Sequence, residues 1–306
     1  MSAQVTAFNK KLDRIIHEDL PVIKQVKKFV IQSGGKRIRP LLHYHICQLL
    51  EYKERTWQDV GAIGEIIHAA SLLHDDVVDE ANMRRGKPST NALHGNKTAV
   101  LCGDYLLSCG LDHLRTLPGS QELLRIFTVV IRKLAIGELL QLQWESNLKL
   151  DLKTYEQIIH CKTAALFGAM AESAALLAAH SSLKEYALFG DDLGFLFQLR
   201  DDYLDYFPGK DDGKPPFQDF KRRLVTFPLL LLLEEPRNRR DLARLFAMED
   251  REAAVSSLEP FLTAKVQKEL ARRIETRVHE AMHFVRRHPP LPARQLIIDQ
   301  LHALLV

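Results

Sequence analysis

The sequence has little that would cross-link the chain or carry it into a membrane. Its 306 residues include only four cysteines, at positions 47, 102, 109 and 161, and no CxxC pair. Neither a disulfide framework nor a zinc site of paired cysteines is therefore expected. The N-terminal segment lacks the apolar core of a signal peptide, and the longest pure leucine run, 229–233, is far too short to span a bilayer. We expect a cytoplasmic protein with reduced thiols.

An excess of one charge is also missing. The 42 Lys and Arg residues are interspersed with 39 Asp and Glu residues, for a formal net charge of +3. This balance gives no electrostatic case for nucleic acid as a partner. No Gly/Ser tract or charge block marks a linker, and the stretch richest in turn residues, 207–220, is too short to separate domains. We predict a single domain over residues 1–306.

Strand signals are weak, and helical periodicity dominates. No convincing alternation of apolar and polar residues is present, and no repeat has a solenoid period. Apolar residues recur at every third or fourth position through 57–78, and Pro40 opens an apolar run that continues to Leu50. Further helices are predicted at about 97–117, 121–146, 153–180, 183–206, 228–235, 239–248, 251–257, 260–288 and 293–305. The chain is therefore predicted to be all-α. Its Ala-rich segment 165–180 is typical of the middle of a large bundle.

Two aspartate clusters with the same DDxxD spacing follow apolar runs. They comprise Asp75, Asp76 and Asp79, and then Asp201, Asp202 and Asp205. On a helix, Asp75 and Asp79 point together, with Asp76 about 100° to the side. Crowded carboxylates cost several kcal/mol to desolvate unless cations compensate. An all-oxygen site of this kind suits Mg²⁺, which binds a few carboxylates together with substrate phosphates.

Basic residues accompany the first cluster. Arg84 and Arg85 follow it, and the earlier stretch GGKRIRP, 34–40, adds two glycines and more cations beside a helix start. Arginine forks and lysine point charges both suit a diphosphate. Taken alone, GGKR is more typical of a solvated loop, and it matches neither a P-loop nor GxGxxG. His74, directly before Asp75, is interpreted as an orienting hydrogen-bond partner.

Together these pieces resemble the trans-isoprenyl diphosphate synthases, also called polyprenyl synthetases. The resemblance covers about residues 30–230. It rests on GGKRIRP at 34–40, IHAASLLHDDVVDEANMRRG at 67–86, GDYLL at 103–107, GELLQL at 137–142, KTAAL at 162–166, FQLRDDYLDYF at 197–207 and TFPLL at 226–230. It implies an isoprenoid-synthase helical bundle around a deep central cavity, usually as a homodimer. Residues 240–306 lie outside these motifs and are interpreted as packing or subunit contact.

The resemblance also implies the reaction and the residues that carry it. Isopentenyl diphosphate would condense with an allylic diphosphate by ionisation, condensation and elimination, giving a trans-polyprenyl diphosphate. About three Mg²⁺ ions would be held by the aspartates: Asp75, Asp76, Asp79, Asp201, Asp202 and Asp205. Arg84 and Lys162 would add to the clamp on the allylic diphosphate. Isopentenyl diphosphate would be bound by Lys36, Arg39, His68 and Arg85. Thr163 and Gln198 would face the reacting carbons, and the leaving diphosphate would take the proton.

Small residues before the first cluster bear on product length. Ala70 and Ser71 lie about one turn before Asp75 and on the same side of the helix. In the family it resembles, a bulky aromatic residue there acts as a stopper. Small residues would leave the shaft open, although they could equally serve close helix packing. We expect a product longer than farnesyl diphosphate, of the kind used for quinone side chains and delivered to a membrane.

The chain departs from the family pattern after the second cluster. Where the family has GKPxGxDLxxGKxTLP, this chain has GKPPFQDFKRRLVTFP, so Phe217 replaces one glycine and Arg223-Leu224 replace a Gly-Lys pair. Lys221, Arg222 or Arg223 could stand in for the lost lysine. A catalytically weak partner subunit of a heteromeric synthase and a short-chain synthase are the alternatives. A terpene cyclase is disfavoured because no Asn/Ser metal motif is present.

Overall fold

The computed structural model describes residues 3–32, 37–84, 86–209 and 215–306, and most of these residues are helical. The α-helices are α1 Ala3–Ile15, α2 Pro21–Gln32, α3 Ile38–Leu49, α4 Thr56–Val78, α5 Thr90–His94, α6 Asn96–Arg115, α7 Ser120–Trp144, α8 Leu152–Ile159, α9 Ala165–Leu177, α10 Leu183–Tyr206, α11 Gln218–Lys221, α12 Phe227–Glu234, α13 Arg239–Ala247, α14 Arg251–Leu258, α15 Ala264–Arg286 and α16 Pro292–His302. A π-helix spans His160–Ala164, and 3₁₀ turns span Pro236–Asn238 and Glu259–Phe261. The all-α prediction is confirmed.

Most helix bounds agree closely with the sequence periodicity, and three features differ. The predicted helix 153–180 is broken by the π-helix His160–Ala164, which no apolar pattern announces. α3 begins at Ile38, so Pro40 lies within its first turn, where a missing N–H costs nothing. A short antiparallel ribbon, β1 Met83–Arg84 and β2 Lys87–Pro88, was not predicted, because strands of two residues carry no alternation.

The chain forms two compact units. The first comprises residues 1–132 and 166–190, and the second comprises residues 133–165 and 191–306. α7 and α10 contribute residues to both units. A single domain over 1–306 stays a prediction. In the described part of the chain, no helix is both long enough and apolar enough to cross a membrane.

The first unit is built around α4. Its side chains Val60, Ile63 and Ile66 are fully buried, and α1, α3 and α6 pack against it. A buried ion pair between Arg37 and Glu65 fixes the start of α3 on α4. Because every face of α4 meets a neighbour, polar residues on it need partners inside the unit.

The second unit takes its core from the C-terminal helices. Leu270, Ile274, Val278 and Val285 recur at helical spacing along α15 and are fully buried. α12 and α16 pack against α15. The interpretation of residues 240–306 as packing is confirmed for this stripe.

Candidate active site

The first aspartate cluster closes α4. Asp75 and Asp79 are half-buried, whereas Asp76 is only 3% exposed. The helix ends here because Glu80 adopts a left-handed conformation, with φ 49°, and the Ala81 N–H donates to the carbonyl oxygen of Asp76. The spacing therefore does what the sequence predicts: it brings three carboxylates to the end of one helix.

The ribbon returns Arg84 to this cluster. Gly86, with φ 73°, makes the turn between the two short strands. The Arg84 guanidinium then donates to Asp76 Oδ1 through Nε, at 2.8 Å, and through Nη2. Burial raises the pKa of Asp76, and the neighbouring Arg84 partly offsets that rise. Arg84, predicted to clamp a diphosphate, here neutralises a buried carboxylate.

Residues of the GGKRIRP stretch divide between two tasks. Arg37 is buried, adopts a left-handed conformation with φ 50°, and donates to Glu65 and to the carbonyl oxygen of Val30. These contacts make Arg37 a structural residue. Arg39 instead lies with its guanidinium carbon 4.5 Å from the centre of the Phe167 ring, a cation–π geometry.

Other residues predicted to bind isopentenyl diphosphate are only partly placed. His68 is half-buried on α4, and its carbonyl oxygen accepts a hydrogen bond from Ser71 Oγ at 2.9 Å. Ala70, beside Ser71, is fully buried. Lys36 and Arg85 lie outside the described residues. The assignments of these residues therefore stay predictions.

His74 links the first cluster to the GDYLL motif. Its Nε2 lies 3.2 Å from the carbonyl oxygen of Val100 and 3.4 Å from a carboxylate oxygen of Asp104. Gly103 permits this approach, because a Cβ there would clash with the imidazole ring. These contacts place His74 in the orienting role that the sequence suggested, and they give the motif a physical purpose.

The second unit contains the other predicted site residues, and the first of them along the chain lie in the π-helix. The Ala165 N–H donates to the carbonyl oxygen of His160, five positions earlier, which defines the wider turn. Such turns are rare and are frequent at functional sites. Here the turn contains Lys162 and Thr163, both predicted to act on substrate. A regular helix would turn these two side chains to different directions.

Lys162 is held against α7. Its Nζ lies 2.5 Å from Glu138 Oε2, in the motif GELLQL. Gly137 allows α7 to come this close, because a Cβ at that position would lie 2.6 Å from the backbone nitrogen of Lys162. The glycine and the glutamate of this motif thus have one task, which is to seat the π-helix.

A chain of hydrogen bonds connects Thr163 to the second aspartate cluster. Thr163 Oγ1 donates to Gln198 Oε1 at 2.9 Å, and Gln198 Nε2 donates to Asp202 Oδ1 at 2.8 Å. The other oxygen of Asp202 accepts from the Tyr155 hydroxyl at 2.5 Å and from the Phe227 N–H at 3.3 Å. Asp202 is 1% exposed. Its oxygens are already engaged, so its role as a metal ligand stays a prediction.

Ionisation in this cluster is opposed by burial. Burial raises the pKa of Asp202 to about 6, against hydrogen bonds from Tyr155 and Gln198 that lower it. Burial, and then the charges of Asp202 and Asp205, raise the pKa of Asp219 as well. A cation bound beside these carboxylates would therefore favour their charged form.

The remaining aspartates of the cluster differ from each other. Asp201 is half-buried on α10. Asp205 uses both oxygens to accept backbone N–H groups, from Gln218 at 2.9 Å and from Asp219 at 3.0 Å. It therefore secures α11 to α10. The role of Asp205 as a metal ligand stays a prediction, whereas its structural contacts are observed.

These groups surround a cavity of about 180 Å³ inside the second unit. Lys162, Thr163, Gln198 and Asp202 line its polar side. Gln141, Tyr155, Asp219, Arg222 and Thr226 add further polar groups. Apolar residues line the rest, among them Trp144, Leu150, Ile158, Ile159, Leu224 and Val225. The cavity can therefore hold a small ligand that has one charged end and one hydrocarbon end.

The loop that departs from the family pattern closes this cavity. Phe217 and Arg223, which replace family glycines, both adopt left-handed conformations, with φ 61° and 57°. Both residues thus hold a conformation that favours glycine, at a strain of about 1 kcal/mol for each residue. Burial of the Phe217 ring beside Tyr206 offsets one of these costs.

The three candidate replacements for the lost lysine point to different partners. Lys221 Nζ lies 2.6 Å from Glu252, and Arg223 Nη2 donates to the carbonyl oxygen of Met248 at 3.2 Å. Arg222 lines the cavity, and its charge lowers the pKa of Asp219. Leu224, at the lysine position itself, adds only apolar surface to the cavity.

The donor chemistry of both clusters fits Mg²⁺. Each supplies carboxylate oxygens and no sulfur, which suits a hard cation. Over the described ranges, no three or more His, Cys, Asp or Glu side chains are already arranged as a metal site. The residues that would hold the ion are therefore Asp75 and Asp79 in one unit and Asp201 in the other, with the remaining aspartates as further candidates.

Several residues of this site carried no assignment from sequence alone. Glu138 lies in a quoted motif, and that motif was the one signal that could have identified it. Tyr155, His160 and Asp191 belong to no motif, and each is found only through its partner. The π-helix near these residues cannot be predicted from helical periodicity, because a single wide turn hardly changes the apolar pattern.

Comparisons with known proteins agree with this geometry. A family model described as polyprenyl synthetase matches residues 20–261. Octaprenyl diphosphate synthase of Escherichia coli is 37% identical over 218 residues, which are 70% of this chain and 67% of that protein. Heptaprenyl diphosphate synthase component 2 of Bacillus subtilis is 31% identical over 239 residues, 77% of this chain and 68% of that protein. A crystal structure of polyprenyl synthase from Caulobacter crescentus, complexed with calcium and isoprenyl diphosphate, has a TM-score of 0.88 at 27% identity and covers 99% of this chain and 94% of that one.

Proposed function

The chain belongs to the polyprenyl synthetase family, and from this premise we propose that it is a trans-prenyltransferase. It condenses isopentenyl diphosphate with an allylic diphosphate to give a trans-polyprenyl diphosphate. One observation carries the proposal: Lys162, Thr163, Gln198 and Asp202 line one cavity that also has an apolar wall. A cation, a hydroxyl, an amide and a carboxylate beside a hydrocarbon wall suit a substrate with a diphosphate head and an isoprenoid tail.

Ionisation of the allylic substrate is the difficult step. The bond from the allylic carbon to the diphosphate oxygen breaks, and negative charge grows on the leaving group. Bound Mg²⁺ would neutralise that charge, held by Asp75 and Asp79 and by Asp201. Lys162 would add a point charge that Glu138 keeps in position. These cations would be in place before the reaction, so no reorganisation is needed.

The hydrocarbon fragment needs protection once the diphosphate leaves. Apolar residues such as Trp144 and Ile158 exclude water from the cavity wall. The amide oxygen of Gln198, fixed by Thr163, is a neutral dipole that can face an allylic cation without reacting with it. The double bond of isopentenyl diphosphate then forms the new C–C bond, and a proton is lost to the departed diphosphate.

Binding of isopentenyl diphosphate is assigned to the basic residues of the first unit. Arg39 and His68, together with Lys36 and Arg85, are the residues that the resemblance supplies. The Arg37–Glu65 ion pair supports this assignment, because it fixes the start of the helix that carries Arg39. An arginine whose guanidinium already lies over the Phe167 ring loses little freedom when it binds an anion.

We infer a product longer than farnesyl diphosphate. The octaprenyl relative supports this length by its name. Ala70 and Ser71 are small, and the Ser71 hydroxyl donates to the His68 carbonyl oxygen. Neither residue therefore presents a bulky group. A homodimer in the cytoplasm that passes its product to a membrane completes the proposal, and these three properties rest on the resemblance and on cysteine usage.

A second candidate is a subunit of a heteromeric synthase. The observation in its favour is a relative whose name denotes one component of an enzyme, heptaprenyl diphosphate synthase component 2. Both aspartate clusters are complete in this chain, and Lys162 and Thr163 are in place. In this case the chain would be the component that carries the catalytic residues.

The test is a primer assay. The purified protein is incubated with Mg²⁺, isopentenyl diphosphate and, separately, dimethylallyl, geranyl and farnesyl diphosphate, and products are separated by chain length. A ladder that ends at a defined chain longer than farnesyl is expected. A stop at farnesyl or geranylgeranyl diphosphate would overturn the length and keep the enzyme class. Absence of product with every primer, in a folded protein, would overturn the prenyltransferase or show that a second component is required.

A matched variant tests the length argument separately. Ala70→Tyr places a bulky ring one turn before Asp75, and it is expected to shorten the final product. An equally bulky change at an exposed position, Leu139→Tyr, is the control. If both variants gave the product of the unaltered protein, the shaft would not run past Ala70.

A further inference from the structure

The π-helix His160–Ala164 is anchored by side chains at three of its five positions. Thr163 bonds Gln198 on α10, Lys162 pairs with Glu138 on α7, and His160 pairs with Asp191 on α10. The first two anchors belong to residues that line the cavity. The third involves no residue with an assigned role, and the motifs of the sequence do not include it.

His160 makes contacts that a merely exposed histidine would lack. Its Nδ1 makes a short hydrogen bond with Asp191 Oδ2. Its ring stacks on Phe195, with ring centres 5.0 Å apart and planes at 20°. Arg277 holds Phe195 from α15, with its guanidinium carbon 4.5 Å from the ring centre, and also pairs with Glu156 at 2.9 Å. The orientation of the His160 ring is therefore fixed, as well as its distance from Asp191.

The surroundings of His160 favour its charged form. The hydrogen bond that His160 donates to Asp191 raises the pKa of His160, against burial, and the charges of Asp191, Glu156 and Asp192 add to the rise. The charged groups on the facing elements are Asp191 and Asp192 on α10, Glu156 on α8, and Arg277 and Glu280 on α15. Burial and the charge of Asp191 also raise the pKa of Asp192.

We propose that the His160–Asp191 ion pair is a positioning device that holds the π-helix in register, so that Lys162 and Thr163 face the cavity. His160 is the first residue of the wide turn, and its carbonyl oxygen accepts the hydrogen bond that defines it. A wide turn closes less favourably than a regular one, so it persists only where other contacts fix it. The ion pair fixes its first residue to α10, the helix that also carries Gln198.

The consequence is a link between the charge of His160 and catalysis. When His160 loses its proton, the ion pair becomes a weaker hydrogen bond from a neutral imidazole to the Asp191 carboxylate, and the turn can relax toward regular α-helix. Relaxation would rotate Lys162 and Thr163 away from Glu138 and Gln198. This inference rests on the proposed prenyltransferase, because Lys162 and Thr163 must act on its substrate.

The test compares two adjacent aspartates. Asp191→Asn keeps the shape and one acceptor oxygen but removes the charge, and Asp192→Asn is the matched control on the same helix. The expected result is a roughly 10- to 100-fold fall in kcat for Asp191→Asn, with KM little changed, because misplaced catalytic groups lower turnover. The alkaline limb of its kcat profile is expected to move to lower pH. Asp192→Asn is expected to move neither by a comparable amount.

A second measurement needs no activity. The chain has thirteen histidines, so the imidazole signal of His160 is assigned as the one that disappears in His160→Gln. NMR titration then follows this signal. The expected pKa is above that of an ordinary histidine in the unaltered protein and falls in Asp191→Asn. If the signal titrates alike in both proteins, or if Asp191→Asn and Asp192→Asn share one pH profile, the proposal is wrong. An inactive wild-type protein with a shifted His160 would overturn the function and leave the ion pair.

A double substitution separates positioning from general stability. In a Lys162→Ala background, the loss of His160 is expected to cost clearly less activity than in the unaltered protein, since its effect passes through the lost lysine. Equal costs in both backgrounds would mean that His160 only supports the fold, and would overturn the proposal.

Discussion

The two aspartate clusters share one spacing and differ in the partners of their middle carboxylate. Asp76 is 3% exposed and Asp202 is 1% exposed, so both are removed from water. Asp76 faces the guanidinium of Arg84. Asp202 faces the neutral donors of Tyr155 and Gln198. One motif therefore gives an ion pair in the first unit and a network of neutral hydrogen bonds in the second.

The two carboxylates are also opposed by groups of different charge. Burial raises the pKa of Asp76, and the charge of Arg84, which the ribbon after α4 brings close, partly offsets that rise. Burial raises the pKa of Asp202 to about 6, against the neutral hydrogen bonds from Tyr155 and Gln198. A DDxxD motif thus indicates where acids gather, while the groups opposite each acid determine its ionisation.

The largest effect is expected from the outer aspartates. Asp75→Ala should lower the rate of isopentenyl diphosphate incorporation about 100- to 1,000-fold, since an electrostatic contact to the leaving group is lost. Its stability should change little, because the side chain is half-buried. Asp205→Ala should lower both rate and Tm, because it also frees the N–H groups of Gln218 and Asp219. Equal falls in Tm would contradict this distinction between the clusters.

The pH dependence of stability should identify Asp202. Its pKa is about 6 in the folded protein against an ordinary value of 3.8, so the folded state binds its proton more tightly than the unfolded state. The contribution of Asp202 to the free energy of unfolding therefore falls as pH rises from about 4 to 6, by about 3 kcal/mol, and stays lower above that window. Asp202→Asn should remove this contribution and leave that of Asp219, whose pKa burial also raises. Urea unfolding of the metal-free protein measures it, and parallel curves for both proteins would refute the assignment.

Removing the cation of the first cluster should make it resemble the second. Arg84→Met keeps the apolar stem but leaves Asp76 buried without its charge partner. The free energy of unfolding should fall by about 2 kcal/mol at pH 7. Because the pKa of Asp76 is raised, the fall should become smaller as the pH is lowered and Asp76 takes up a proton, and Arg84→Lys should recover part of it. A loss that does not change with pH would mean that Arg84 acts through packing.

Sequence reasoning located the clusters because a fixed helical spacing determines which side chains share a face. Asp75 and Asp79 end α4, and Asp201 and Asp205 lie within α10, as the pattern predicts. It also identified Lys162, Thr163 and Gln198 through the resemblance, and the structure brings these three together at one cavity. Short-range geometry and motif order were sufficient for this part of the site.

The partners of these residues could not be predicted, because they depend on tertiary contacts. Nothing in the local sequence pairs Tyr155 with Asp202, or His160 with Asp191. The π-helix is decided by such contacts, since its turn is unfavourable without them. The local sequence does not predict the ribbon that contains Met83–Arg84 either, although this ribbon makes Arg84 the partner of Asp76.

The smallest effect is expected in the loop that lost its family lysine. Arg222 lines the cavity, whereas Lys221 is paired with Glu252 and Arg223 bonds the Met248 carbonyl oxygen. If Arg222 supplies the cation that the neutral network around Asp202 lacks, Arg222→Ala should raise the KM for a diphosphate substrate about tenfold, the size of one charged hydrogen bond. Lys221→Ala removes a neighbouring charge that faces Glu252 and should leave KM nearly unchanged. Leu224→Lys restores the family residue and should rescue Arg222→Ala. If it does not, and if both alanine variants have equal KM values, the second cluster binds diphosphate without help from this loop.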